Sequence, residues 1–183
     1  MNKIPSVNLL DFLSNNPEDK QKFVDQIGKA YETIGFVALK GHFLDDALVD
    51  NLYSEVKKFF ELTTEQKQNY EVPGIGGQRG YVSFGKESAK GKKEGDLKEF
   101  WHFGQYVENN PKLEKEYHKN IEVKELAEFN TAGKQTYRML EKTAKYVLRA
   151  LAIYLDLDEY YFDNYIHNGN SILRPIHYPP IKE

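Results

Sequence analysis

The chain has 183 residues, 40% of them apolar and 29% charged, with a formal net charge of −3 and no cysteine. That length suits one domain, or one domain and part of another, around a sizeable core. The slight acidity argues against nucleic-acid or anionic-membrane binding, which needs a basic footprint, and the lack of cysteine excludes disulfides and thiolate metal sites and fits a cytoplasmic protein.

Ile4-Pro5-Ser6-Val7-Asn8-Leu9 reads as a short strand entered through proline. Asn16 as N-cap and Pro17 at the first helical position start a helix carrying Phe23, Ile27, Ala30, Tyr31 and Ile34 on one face, with Gly35 as its stop. Phe36-Val37-Ala38-Leu39, bounded by Gly35 and Gly41, reads as a buried strand. Asp45 or Asp46 caps a second helix with Leu48, Leu52, Val56, Phe59 and Phe60 as its apolar stripe, and Leu62 to Lys67 reads as a short capped turn. This is an α/β opening.

Between Gly80 and Gly104 two strand-like aromatics, Tyr81 and Phe84, lead into a Lys/Gly/Glu run and then into Phe100, Trp101 and Phe103. The run has too few apolar residues to offset its ordering entropy by packing, so it is expected to project or to fold over something as a lid. Its lysines, Lys86, Lys90, Lys92 and Lys93, are balanced by Glu87, Glu94 and Asp96, as in an ordinary charged loop. A long helical pattern runs from about Val123 to Leu155, with Leu126, Phe129, Tyr137, Leu140, Ala144, Val147, Leu148, Leu151 and Tyr154 on its stripe, as befits a spine between two layers. A short helix over Asp158 to Asn164 and a turn at Asn168-Gly169-Asn170 follow. Ser171 to Ile181 then begins a strand with no evident partner, so the sequence looks cut inside a fold.

Neither nucleotide motif survives a test of spacing. Gly74-Ile75-Gly76-Gly77-Gln78-Arg79-Gly80 lacks the third glycine of a dinucleotide loop, and Gly85 to Lys92 puts five residues before Gly91-Lys92, with Lys93 where a hydroxyl is needed. The five histidines, His42, His102, His118, His167 and His177, form no His-X-Asp, His-X-Glu or His-X-X-X-His pattern, so no catalytic and no metal-binding residue is assigned. There is no Gly-X-Ser-X-Gly elbow. His102 and His177 stand out only because they lie in the two distinctive stretches.

Six segments in order carry a more specific likeness: Ile4 to Asn8; Gly35 to His42; Phe59-Phe60-Glu61-Leu62 with Glu65 and Lys67; Gly80-Tyr81; Asp96 to Gly104; and Leu173-Arg174-Pro175-Ile176-His177-Tyr178-Pro179-Pro180. This series resembles the N-terminal part of the isopenicillin N synthase-like family of Fe(II)- and 2-oxoglutarate-dependent oxygenases, over nearly the whole chain. Phe43 departs from it, where the family usually has glycine, which affects a local turn.

The resemblance implies an α/β (α+β) fold: a helical N-terminal cap with short strands and a long spine helix, leading into a double-stranded β-helix, or jelly roll, of which only the first strand is present. It divides the chain into an N-terminal non-haem dioxygenase region (1–118), the spine helix and connection (119–170) and the start of the jelly roll (171–183). Fe(II) and 2-oxoglutarate are the implied cofactors of the full-length protein, with the iron ligands beyond Glu183 and neither held tightly by this chain alone. By carry-over Arg79, Tyr81 and Tyr178 are substrate-binding, the arginine fork and the phenols being reasonable carboxylate binders. The implied function is oxidation of a small organic substrate, without nucleic-acid or membrane partners. The alternative is a catalytically incomplete remnant that binds a small molecule or a protein.

Overall fold

The computed structural model describes residues 3–87 and 95–180. Two compact units emerge, Met1–Asp45 with Arg138–His167, and Asp46–Tyr137 with Asn168–Glu183.

In the first unit, β1 (Ser6–Asn8) pairs in parallel with β2 (Ala38–Lys40), Val7 opposite Leu39. The strand expected to reach Leu9 stops earlier because the Asn8 side chain accepts the Leu10 N–H and caps α1 (Leu9–Leu13). Helix α2 (Pro17–Thr33) begins as its sequence indicates, with the Glu18 N–H donated to Asn16 Oδ1 at 3.0 Å. After its C-cap Ile34, the Ile34 and Gly35 N–H groups both reach the Ala30 carbonyl, and the Gly35 φ of +77° turns the chain out of the helix.

The expectation of a buried strand at Phe36–Leu39 is corrected. The strand lies at Ala38–Lys40 and is largely exposed, and Phe36 is 67% exposed. A two-stranded parallel pair turns only alternate residues inward, and here that residue is Leu39.

The core of this unit joins Val7, Leu9, Phe12, Phe23, Val24, Ile27 and Ala150, with Tyr146, Val147, Leu151 and Tyr154 packed against it. The last five belong to α6 (Ala127–Tyr154), a 28-residue helix close to the length its pattern implies. Gly28 is required by contact, since a Cβ there would fall on the Tyr154 ring. Two members of the expected stripe, Leu140 and Ala144, are exposed instead. The helix expected over Asp158–Asn164 also shifts, because residues 158–161 make turns and α7 covers Asp163–Ile166. Arg149 grips Asp163 through Nε and Nη2 at 3.1 and 2.6 Å, and these bonds hold the Asp163 carboxyl down at about 2.

In the second unit α3 (Asp46–Phe60) buries Phe59 and Phe60, and α4 (Thr64–Gln68) opens on a complete capping box between Thr63 and Gln66. Four strands form an antiparallel sheet around β4 (Glu99–Gly104). On one side lies β3 (Gly80–Val82); on the other lie β5 (Ile172–Leu173) and β6 (Ile176–His177). Phe84, expected in the first of these strands, sits in the following turn and is partly exposed. The Lys90, Lys92, Lys93 and Glu94 part of the expected lid lies outside the described residues. The described ends of that loop are tied by ion pairs, Lys86 to Glu71 and Lys98 to Glu87 and Asp96.

The C-terminal stretch corrects a further expectation. It is neither one strand nor unpaired: Phe103 faces Leu173, Gly104 faces Ile172, Glu99 faces His177 and Phe100 faces Ile176. Pro175 has no N–H to give and divides the stretch in two, yet its carbonyl still accepts the Trp101 N–H at 3.0 Å. The partner strand lies about seventy residues upstream, a separation that local patterning does not register.

Between β4 and β5 the chain forms α5 (Pro111–Glu116), capped by Asn110, and then the first turns of α6. That helix starts at Ala127 rather than near Val123, because the Asn130 side chain both accepts from and donates to the Val123 backbone and holds 123–126 as a turn. The core is aromatic. Phe59 stacks on Phe129 with centroids 5.0 Å apart, and Trp101 meets both edge-on at 4.9 and 5.1 Å.

Candidate functional site

Strand β4 reads Glu-Phe-Trp-His-Phe-Gly, and alternation sends its residues to two faces. Glu99, Trp101 and Phe103 share one face with their partners Tyr81, His177 and Leu173; Phe100, His102 and Gly104 share the other with Val82, Ile176 and Ile172. The first face is the aromatic core. The second holds His102 beside Arg174.

On the core face the buried Glu99 carboxylate accepts from Lys67 Nζ at 3.0 and 2.8 Å, from the Tyr81 hydroxyl, and from His177 Nδ1 at 2.8 Å. Lys67 is also buried and gives its remaining proton to the Phe60 carbonyl at 3.1 Å. Burial alone would raise the Glu99 pKa, but the bonds from Lys67, Tyr81 and His177 outweigh it and hold the group below the usual carboxylate range. Burial and the Glu99 charge push the Tyr81 phenol far up, so it stays protonated as a donor. Tyr81, expected to face substrate, is thus placed in the core with its hydroxyl committed to Glu99.

On the second face His102 is buried between two elements. Its Nδ1 lies 2.6 Å from the Gly77 carbonyl and its Nε2 lies 2.5 Å from Arg174 Nε. A carbonyl only accepts and a guanidinium only donates, so the proton sits on Nδ1 and Nε2 is bare. Burial first, with the nearby Arg174 and Arg79 charges, lowers the His102 pKa to about 4 against the Gly77 hydrogen bond, so the ring is neutral. Arg174 lies over the Phe100 ring at 4.3 Å, with its side chain 37% exposed. Its Nη1 is 3.6 Å from Glu87, whose carboxylate is engaged more closely by Lys98 at 2.7 Å.

Arg79 is 1% exposed and lies against Gly104, where a Cβ would collide with the guanidinium. Nη1 donates to the Gln78 carbonyl at 2.7 Å and Nη2 to Asn170 Oδ1 at 3.0 Å, while Nε has no partner among the described residues. Desolvation pulls its pKa below the ordinary arginine value, partly offset by Tyr137, Tyr106 and Tyr117 nearby. Asn120 fixes the strand end there, accepting the Gly104 N–H at 2.7 Å and donating to its carbonyl at 3.0 Å. Tyr178 is 67% exposed, just past β6.

The structure therefore brings Arg79 to the face that holds His102 and Arg174, leaves Tyr178 open at the strand end, and turns Tyr81 away. Sequence reasoning missed Arg174, Glu99 and Lys67. A carboxylate inside the aromatic strand Glu99–Phe103 was a usable signal of a buried partner; for Lys67, inside a polar helix, no signal existed. Among the described residues no group of three or more His, Cys, Asp and Glu could hold a metal ion. Both ring nitrogens of His102 are taken, as is Nδ1 of His177, so the residues described do not make an iron site.

Comparison with known proteins places this geometry in a family. The model for the N-terminal region of the non-haem dioxygenase in morphine synthesis matches residues 4–125. A crystal structure of a 2OG-Fe(II) oxygenase family protein from Caulobacter crescentus aligns with a TM-score of 0.87 and 34% identity, covering 100% of this chain and 58% of that one. A full-length Neurospora crassa protein crystallised in complex with alpha-KG aligns at 0.79 with 26% identity, over 98% of this chain and 54% of that one. The 1-aminocyclopropane-1-carboxylate oxidase of Dictyostelium mucoroides is 26% identical over 190 residues, 97% of this chain and 49% of its own length. The chain thus spans about half the length of the curated relatives it matches. With two thirds of its residues inside the family match and its mixed helix and sheet fold shared end to end with a solved member, the chain belongs to the isopenicillin N synthase-like family of Fe(II)- and 2-oxoglutarate-dependent oxygenases.

Proposed function

We propose that this chain is the N-terminal portion of an oxygenase that oxidises a small organic substrate with Fe(II) and 2-oxoglutarate, and that its part in the reaction is to bind and orient that substrate. The observation that carries the reading is the polar face of β4. A buried arginine whose Nε has no partner among the described residues, a neutral histidine and a second arginine are held there by a rigid strand and its neighbours. Preorganised guanidinium donors on a sheet suit an anionic or carbonyl-bearing ligand, and their shielding from water strengthens each contact.

In this reading residues 1–118 are the N-terminal dioxygenase region, 119–170 the helix and connection, and 171–183 the entry to the jelly roll. The iron, when bound, supplies oxygen activation coupled to decarboxylation of 2-oxoglutarate, on ligands outside the residues described. Arg79 and Tyr178 contact the substrate or co-substrate, and Tyr81 supports the sheet from behind. A cytoplasmic location is part of the same reading, and rests on the cysteine-free sequence. Among the described residues no helix is long and apolar enough to cross a membrane.

The test starts from the coding region. A His-X-Asp pair within a few tens of residues after Glu183, followed by a later His and an Arg-X-Ser, is expected; the encoded protein should then convert 2-oxoglutarate to succinate only with Fe(II) and O2. A stop codon after Glu183, or a full-length protein that shows no iron-dependent turnover, would overturn the proposal.

A further inference from the structure

We propose that Arg174 is the anchor of a binding site for a small carboxylate with an apolar body, and that His102 is a positioning residue that aims it. Nothing in the family match assigns either role. The proposal deepens the oxygenase reading by naming a ligand class, and rests on it only for the idea that the ligand is a substrate; the binding itself requires no iron.

Most of the Arg174 guanidinium is already engaged. Its Nε is consumed by His102, its flat face lies on Phe100, and its Nη1 only approaches Glu87 at 3.6 Å, beyond hydrogen-bond length. Glu87 itself is committed to Lys98 at 2.7 Å. The guanidinium is therefore fixed at its stem and face, while its Nη end, on a partly exposed side chain, meets among the described residues only a distant carboxylate. That end is a fork whose two parallel N–H directions match a carboxylate.

His102 makes the aim rigid. With Nδ1–H on the Gly77 carbonyl, the ring must present a bare Nε2 and can only accept, and the guanidinium is the donor it meets. A protonated ring would offer a donor to a cation and release the arginine. The same bond ties the glycine-rich turn at Gly77 to the orientation of Arg174.

The body of the ligand is indicated by the surroundings. Ile172 and Ile176 lie on the same face of the sheet as His102 and Phe100 and are each 41% exposed, with Tyr178 two residues further on. Open apolar side chains beside one aimed guanidinium favour a ligand with one charged end and a hydrocarbon or aromatic remainder over a polyanion, which would leave that surface without a partner.

The experiment is a titration of the 15N- and methyl-labelled chain with sodium benzoate at pH 7, followed by NMR. His102 should show the Nδ1–H tautomer with an unprotonated Nε2. The Arg174 side-chain N–H signals and the Ile172 and Ile176 methyls should shift together and saturably. Arg174→Lys, which keeps the charge but loses the fork, should weaken binding by roughly tenfold or more. His102→Leu should weaken it too, whereas His102→Gln, which can still accept from Arg174 and donate to Gly77, should retain most of it. If His102→Leu fails to fold, the Gln variant and the wild-type tautomer still decide the matter.

Benzoate shifts that never saturate, undiminished binding in Arg174→Lys, or an Nε2–H tautomer would each overturn the proposal. Because the readout needs neither metal nor turnover, its failure is separate from failure of the oxygenase assignment.

Discussion

Replacing Glu99 by glutamine should be among the costliest single changes in this chain. The carboxylate is 5% exposed and, among the described residues, is the only counter-charge hydrogen-bonded to Lys67, itself 7% exposed, whose three protons go to the two Glu99 oxygens and the Phe60 carbonyl. Glutamine keeps the shape and one acceptor but leaves a buried ammonium without an anion. Breaking one side of a buried pair costs about 3–5 kcal/mol, a large part of the roughly 5–15 kcal/mol typical of a folded domain. Removing both charges, with Lys67→Met and Glu99→Gln together, should return most of that loss. Urea unfolding followed by Trp101 fluorescence reads this directly, since Trp101 is the single tryptophan and shares the Glu99 face of β4. A Glu99→Gln loss below about 1 kcal/mol, in the range of an exposed ion pair, would refute the claim that the network is desolvated.

Further expectations follow from other parts of the molecule. A chain ending at Asn170 loses both strands on one side of β4, and its Trp101 emission should shift to the red with a broadened unfolding transition; an unchanged transition would mean that β5 and β6 add nothing to the sheet. Gly28→Ala should destabilise by about 1–3 kcal/mol despite the better helix propensity of alanine, because the new methyl meets the Tyr154 ring; a gain in urea midpoint would show that the ring moves aside freely. The depressed pKa of His102 makes the unfolded chain bind more protons between about pH 6.5 and 4, so stability should fall as pH drops through that window. His102→Gln should flatten that slope, and an identical pH profile would show that the ring titrates normally. Glu99 acts lower: its folded pKa lies below its unfolded value, so its contribution is complete above the unfolded pKa and is lost only as pH falls through the folded one.

The start of helix α2 and its glycine stop were legible, because Asn16, Pro17 and Gly35 are local signals that the surrounding fold did not override, although Tyr31 on its expected stripe is exposed and Ile34 is its C-cap. The capped turn at Thr63 and the aromatic packing of Phe100, Trp101 and Phe103 were legible for similar reasons. What failed was non-local. Nothing within Ser171–Pro180 says that its partner is Glu99–Gly104, and without that pairing neither the sidedness of Tyr81 nor the His177–Glu99 contact can be deduced. Arg79 could be singled out from its place before Gly80-Tyr81, but its burial depends on Gly104 leaving room, twenty-five residues later. Arg174 was in plain sight in the Leu173–Pro180 segment; only the sheet register puts His102 beside it.

The division of labour along β4 has a practical meaning for anyone wishing to alter what this protein recognises. The proposed carboxylate site backs directly onto the buried strand, so a mutagenesis library should be combed, not blocked: varying the exposed Ile172 and Ile176 together while fixing the buried Glu99, Phe100, Trp101 and Phe103 changes the proposed ligand-facing wall and leaves the hydrophobic support intact. Randomising any contiguous run through the strand would dismantle both at once. An insertion or deletion of one residue in β4 would exchange its two faces outright, delivering the carboxylate and the indole to the side now held by His102 and an arginine-bound imidazole to the core. Under that proposal, substitutions confined to the exposed residues of the His102 face are the tolerated route to a changed specificity.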